Sequence, residues 1–201
     1  MKRNKKIIGL TGSIATGKSQ VTSVLKELDI KVIDADEIAK EVLKKEDIQN
    51  EIEKKLNHKF REKEEFKKEL LSKYVFEDTK RLEILNSITH KEIFKRINEE
   101  IENSMDQVIV VDIPLLIEIN DKLKEYNFKY DYLWLVYANE KTQLERLMKR
   151  DNISKEEAMK KIKSQISINK KRKVADVVLY NDGTKKELMF QIVKHLNLTK
   201  L

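Results

Sequence analysis

Ile7, Ile8 and Leu10 make a short apolar run with no polar face, which predicts a buried strand over residues 5–11. The period then lengthens. Val21, Val24, Leu25 and Leu28 fall at i, i+3, i+4 and i+7, the stripe of an amphipathic helix. KVID at 31–34 reads as a second strand, and DEIAKEVLKK restarts a helix with Asp36 as its N-cap. Residues 46–104 are helical, very charged and without strand signal; Leu82, Leu85, Ile93, Ile97 and Ile101 mark one long helix or two abutting ones. QVIVVDIPLL at 107–116 is a core strand that Pro114 ends. YDYLWLVYA at 130–138 is another, rich in aromatic and branched residues, and a helix at 139–150 follows it. Ser154 and Glu157 have capping-box spacing and start a helix over 154–169. VADVVLYN at 174–181 is the last strand, and Thr184 with Glu187 repeats the box before the final helix.

Strands alternating with helices predict parallel strands joined by helical crossovers, an α/β sandwich. Residues 46–104 stand out as a helical insertion.

Composition narrows the class. The chain has 201 residues, 40% hydrophobic and 38% charged, enough for one full core with a small subdomain. No apolar run approaches the ~18 residues of a membrane span, and the N-terminal apolar stretch is too short for a signal peptide. There is no cysteine, which excludes disulfides and thiolate metal sites. The expectation is a cytoplasmic protein with no membrane partner. The net charge is +7, which can attract polyanions. Lysines alternate with glutamates along the chain, as in KEEFKKELLSK, and this reads as solvated helix faces, with no nucleic-acid partner expected.

Only 4 glycines occur, and Gly9, Gly12 and Gly17 lie within nine positions. GSIATGKS, residues 12–19, fits G-x-x-x-x-G-K-[ST] between a strand and a helix. In that motif the backbone N–H groups of Gly12, Ser13, Ile14, Ala15, Thr16 and Gly17 wrap nucleotide phosphates. Lys18 reaches the β- and γ-phosphates, Ser19 offers its hydroxyl to Mg²⁺, and the helix dipole favours the anion. A switch GTPase needs N-K-x-D; NKKR at 169–172 lacks the Asp.

Three segments bear on the reaction. Asp34 and Asp36 follow a strand end, where a carboxylate can take the proton of an attacking hydroxyl or hold Mg²⁺ through water; Asp36 as a mere helix cap is the alternative. Gln143, Arg146 and Arg150 share a helix face at i, i+3 and i+7, a phosphate clamp or a surface pairing with Glu140 or Glu145. The helix from 154 has a thin apolar stripe of Ala158, Ile162 and Ile166, so it can detach and close as a lid.

Together these segments resemble the dephospho-coenzyme A kinase family. The resemblance runs through IGLTGSIATGKS, VIDADEIAKEVL, VDIPLLIE, TQLERLMKRD, QISINKKRKVAD and YNDG, nearly the whole chain. It implies a five-stranded parallel P-loop kinase core from residues 1–45, 105–138 and 172–201, a helical acceptor domain at 46–104 and a lid at 139–171. It implies transfer of the γ-phosphate of ATP, with Mg²⁺, to the 3′-hydroxyl of dephospho-coenzyme A. Asp36 becomes the base, Lys18, Arg146 and Arg150 meet the transferring phosphate, and Asn181 to Gly183 lie near the adenine. Asp34, His90, Pro114, Leu115, Leu116 and Lys171 fall to the acceptor and lid side. Small-molecule substrates and a monomer are expected. A nucleoside monophosphate kinase of the same fold, or a basic nucleic-acid-binding nucleotide switch, is the alternative. The family's usual extra glycines are Ser13 and Ala15 here, so these two must accept the loop's dihedrals. Lys91 stands where the family has proline after histidine, so nothing breaks the helix there.

Overall fold

The computed structural model describes residues 5–199. The chain divides into two compact units, one built from the chain up to Asp34 and from Asn103 onward, the other from Ala35–Glu102.

In the first unit the elements are β1 (Lys6–Gly12), α1 (Lys18–Glu27) and β2 (Lys31–Asp34), and the unit resumes at Asn103. The second unit holds α2 (Ala35–Val42), α3 (Glu46–Leu56), β3 (Arg61–Glu62), β4 (Glu65–Phe66), α4 (Lys68–Phe76) and most of α5 (Thr79–Asn103). The first unit then continues with β5 (Val108–Asp112), a 3-10 turn (Asn120–Tyr126), β6 (Tyr132–Tyr137), α6 (Glu140–Asp151), α7 (Lys155–Lys163), α8 (Ile168–Arg172), β7 (Val177–Tyr180) and α9 (Lys185–Thr199).

The sheet has the order β2-β5-β1-β6-β7, and every pairing is parallel. β1 is therefore central. Its side chains alternate between two buried faces. Ile8 and Leu10 join Val110, Trp134, Val136 and Leu179 with Val21, Val24 and Leu25 of α1 and Leu188, Ile192 and Leu196 of α9 in one core. Gly9 opposes that core, and a Cβ there would come within 2.5 Å of a Leu116 methyl. A glycine in the central strand thus lets the 113–119 segment lie close on the sheet.

The second unit packs Ile48, Ile52, Leu56, Phe60, Leu71, Val75, Ile93 and Ile97 out of solvent. Glu53 is buried there and accepts the Phe60 N–H at 2.8 Å, which anchors the β3–β4 hairpin.

The five main strands and their parallel order agree with the sequence reading, and four particulars differ. The insertion contains the two-residue strands β3 and β4, too short to give a periodic signal. β5 stops at Asp112, two residues before Pro114, and the chain turns there, with Thr11 Oγ1 donating to the Pro114 carbonyl at 2.9 Å. The 154–169 helix is two helices: α7 keeps the Ser154/Glu157 box, and Ser167 caps the separate α8. α2 begins at Ala35, so Asp36 sits inside its first turn and is not the N-cap. The helix starts earlier than the sequence suggests, directly after the strand that ends at Asp34. α5 runs unbroken through Lys91, as the missing proline allows.

Candidate active site

β1 ends in the middle of the sheet and delivers Gly12–Ser19 to the C-terminal edge of the strands, where open α/β sheets bind ligands. Ala15 (φ 59) and Gly17 (φ 84) take left-handed conformations, which fold the loop into a concave nest of amides. Ala15 accepts the dihedral that glycine would take freely. Gly17 has a further reason: a Cβ there would lie 2.2 Å from Asn181 Nδ2.

The loop's carbonyls are turned outward and held. Lys171 Nζ lies 3.4 Å from the Gly12 oxygen. Thr16 donates to the Ser13 oxygen through Oγ1 (2.8 Å) and N (3.2 Å). The Thr16 oxygen accepts from Asn181 Nδ2 (2.8 Å) and Arg146 Nη1 (3.4 Å). C=O and N–H oppose each other across a trans peptide, so pinning the Thr16 carbonyl outward turns the Gly17 N–H inward. The first amides of α1, at Lys18 and Ser19, have no partner within the helix, and the positive end of its dipole adds to them. This is an anion cradle made of backbone, but not of every amide expected: the Ile14 N–H donates to Gln165 Oε1 at 2.9 Å and the Thr16 N–H to the Ser13 oxygen, so these two are already engaged.

Charge surrounds it. The Lys18 ammonium is paired with the carboxylate of Asp112, which is 2% exposed at the end of β5. Asp112 is in register with Asp34, so the two carboxylates leave neighbouring strand ends on the same face of the sheet. Ser19 is exposed at the start of α1. Hydroxyl and carboxylate oxygens are the hard donors that Mg²⁺ takes, and Mg²⁺ needs only one or two protein groups beside substrate phosphates. The described residues contain no cluster of three or more His, Cys, Asp or Glu that could hold a metal ion.

Sequence reasoning named Lys18 and passed over Asp112. The signal was present: in VIVVD the acid ends a strand whose every residue is buried.

Other expected residues divide. Arg146 reaches the phosphate loop, donating to the Asn181 carbonyl at 2.8 Å as well as to Thr16. Arg150 is not beside it. Its guanidinium holds the side chain of Asp151 at 2.8 Å, so the two arginines do not converge in this state. Gln143 is fully buried and donates to the Ala138 carbonyl at 2.8 Å, so it is not part of an exposed clamp. Asn181 is buried and gives its amide to Thr16 and Gln20, bracing the loop; Gly183 is exposed in the turn before α9. Leu116 is wholly buried against Gly9 and packs in the core, while Pro114 and Leu115 are more open. Lys171, expected on the lid side, is wholly buried under the loop. In the second unit Asp36 is exposed at the start of α2, and His90 is half-buried with its ring edge-on to Phe94 at 6.4 Å.

Asp151 ties α6 to α7. It accepts from Arg150 and, at 2.8 Å, from Lys161, and these hydrogen bonds hold its carboxyl down at about 2.

Comparison with known proteins agrees with this geometry. The family model for dephospho-CoA kinase matches residues 6–187. A dephospho-CoA kinase of Carboxydothermus hydrogenoformans is 39% identical over 199 residues, covering 96% of this chain and 94% of the relative. Among solved structures, TT1252 from Thermus thermophilus superposes with a TM-score of 0.83 at 28% identity, covering 98% of both chains. The dephospho-CoA kinase of Campylobacter jejuni gives a TM-score of 0.62 at 27% identity, covering 97% of both.

Proposed function

This chain belongs to the dephospho-CoA kinase family, and from that premise we propose that it transfers the γ-phosphoryl group of ATP to the 3′-hydroxyl of dephospho-coenzyme A. The observation that carries the reading is the backbone cradle at Gly12–Ser19 with Lys18 and Asp112 beside it.

Phosphoryl transfer leaves the protein little covalent work; positioning and charge stabilisation supply the rate. The cradle's amides bind the phosphate chain. Lys18 exchanges Asp112 for phosphate oxygens when nucleotide binds, so its charge follows the transferring group. Arg146 is already at the loop, and Arg150 joins it by leaving Asp151. Ser19, Asp112 and Asp34 are the groups that would hold Mg²⁺, which when bound neutralises charge on the phosphates. Asp36 takes the proton of the ribose hydroxyl, with Asp34 the alternate. The helical segment 46–104, with His90, takes the acceptor, the 139–171 segment closes over the nucleotide, and Asn181 to Gly183 border the adenine. The molecule acts as a monomer in the cytoplasm on small-molecule substrates; no helix among the described residues is long and apolar enough to cross a membrane.

Incubation with ATP labelled at the γ-phosphoryl tests this reading. Label appearing in coenzyme A, on the 3′-oxygen by phosphorus NMR, is expected. Label released only as inorganic phosphate would contradict it.

A further inference from the structure

Lys171 is a charged side chain with no exposure at all. Its ammonium lies 2.6 Å from Glu118 Oε1 and 3.4 Å from the Gly12 carbonyl oxygen. Both Glu118 carboxylate oxygens are buried, and the contact is an ion pair by distance, off the direction of an aligned hydrogen bond. Three separate stretches meet here: the end of β1, the segment after β5 and helix α8.

Burying an ammonium and a carboxylate costs several kcal/mol per ion, and apolar residues in their place are often as stable. Stability is therefore a poor reason for this pair. What it uniquely supplies is a fixed donor on the Gly12 carbonyl. That carbonyl shares a peptide plane with the Ser13 N–H, so the donor sets how the phosphate loop leaves the strand. Six residues before Lys171, Gln165 Oε1 accepts the Ile14 N–H at 2.9 Å. The stretch 165–171 thus grips two successive points of the loop, Gly12 through Lys171 and Ile14 through Gln165. Glu118 in turn holds the Lys171 side chain in place.

We infer that Lys171 is a positioning residue for the reaction: held by Glu118, it sets the phosphate loop through Gly12 and contacts neither substrate. The inference rests on the kinase reading above, and it ties the 155–172 segment mechanically to the nucleotide site.

The test uses the full chain and three variants: Lys171→Met, Glu118→Gln and the double substitution. Each is measured for Tm, for binding of a non-hydrolysable ATP analogue by calorimetry, and for kcat and both KM values. Lys171→Met should weaken analogue binding about tenfold and leave KM for dephospho-coenzyme A within about twofold. It should also lower Tm, because Glu118 is left buried and unpaired. The double variant should regain most of that Tm without regaining nucleotide affinity, since Gly12 still lacks its donor. Recovery of both in the double variant would overturn the inference and leave a structural ion pair. A raised KM for dephospho-coenzyme A with unchanged analogue binding would overturn it in favour of a substrate contact. Analogue binding needs no acceptor, so a wild-type chain that binds nucleotide but turns over no dephospho-coenzyme A fails the kinase reading alone.

Discussion

The ammonium of Lys18, from the first turn of α1, is paired with the buried carboxylate of Asp112 at the end of β5. The motif assigns that ammonium to phosphate. The pair holds the lysine beside the cradle. Lys18→Ala should lower turnover by ~10²–10³-fold, the scale of removing one preorganised donor from a transition-state charge. It should also lower Tm, because Asp112 loses its counter-charge. Near-wild-type turnover in purified Lys18→Ala contradicts the phosphate-loop reading.

Asp36 and Asp34 separate by matched substitution. Asp36 lies in the first turn of α2, not at its cap, so Asp36→Asn leaves capping untouched and tests the proposed base. Turnover should fall by ~10²–10⁴-fold with nucleotide affinity largely kept. Asp34, in register with Asp112, should when changed to Asn weaken nucleotide binding in the presence of Mg²⁺ more than it slows turnover. The reverse pattern would exchange the two roles.

Ala15 holds φ 59, where a Cβ is strained. Ala15→Gly should relieve on the order of 1 kcal/mol of that strain, offset in part by the freedom glycine adds to the unfolded chain. The expected result in chemical denaturation is a small gain or no change. A loss above about 1 kcal/mol would mean that the Ala15 methyl packs usefully in the folded loop.

The α6–α7 tie has a defined pH range. Hydrogen bonds from Arg150 and Lys161 lower the Asp151 carboxyl from its ordinary 3.8 to about 2. A depressed carboxylate contributes fully above its unfolded value and loses that contribution as pH falls through the folded one. The tie should therefore be intact at neutral pH and give way near pH 2. The Asp151 carboxyl carbon, followed by NMR, should titrate near 2 in the wild type and higher in Lys161→Met. A midpoint near 3.8 in both would show that the two cations do not hold it.

Much of the fold was legible because each main strand carries a short, mostly apolar run. Ile7, Ile8 and Leu10 or the VIVVD run leave no other reading, and GSIATGKS announces its own chemistry. The rest depends on partners distant in sequence. Lys171 lies in NKKRK and looks like a solvated basic patch; only folding puts Glu118, 53 positions earlier, beneath it. Arg146 and Arg150 share a helix face by spacing, yet Arg150 turns to its neighbour Asp151 while Arg146 finds Thr16 and Asn181. Spacing sets direction from a helix axis and says nothing of which acceptor a long side chain meets. Asp112 differs: its place at the end of a buried strand was visible, but the lysine that pairs with it comes from the neighbouring strand's loop.

Acceptor choice is the most direct test of the whole account. ATP consumption coupled to a spectrophotometric readout is to be followed with dephospho-coenzyme A, adenosine monophosphate and thymidine monophosphate under one set of conditions. The kcat/KM for dephospho-coenzyme A should be at least ~10³-fold above that for either nucleotide, beyond the roughly 10–200-fold that a single apolar group discriminates. Equal or greater kcat/KM with a nucleoside monophosphate would contradict it.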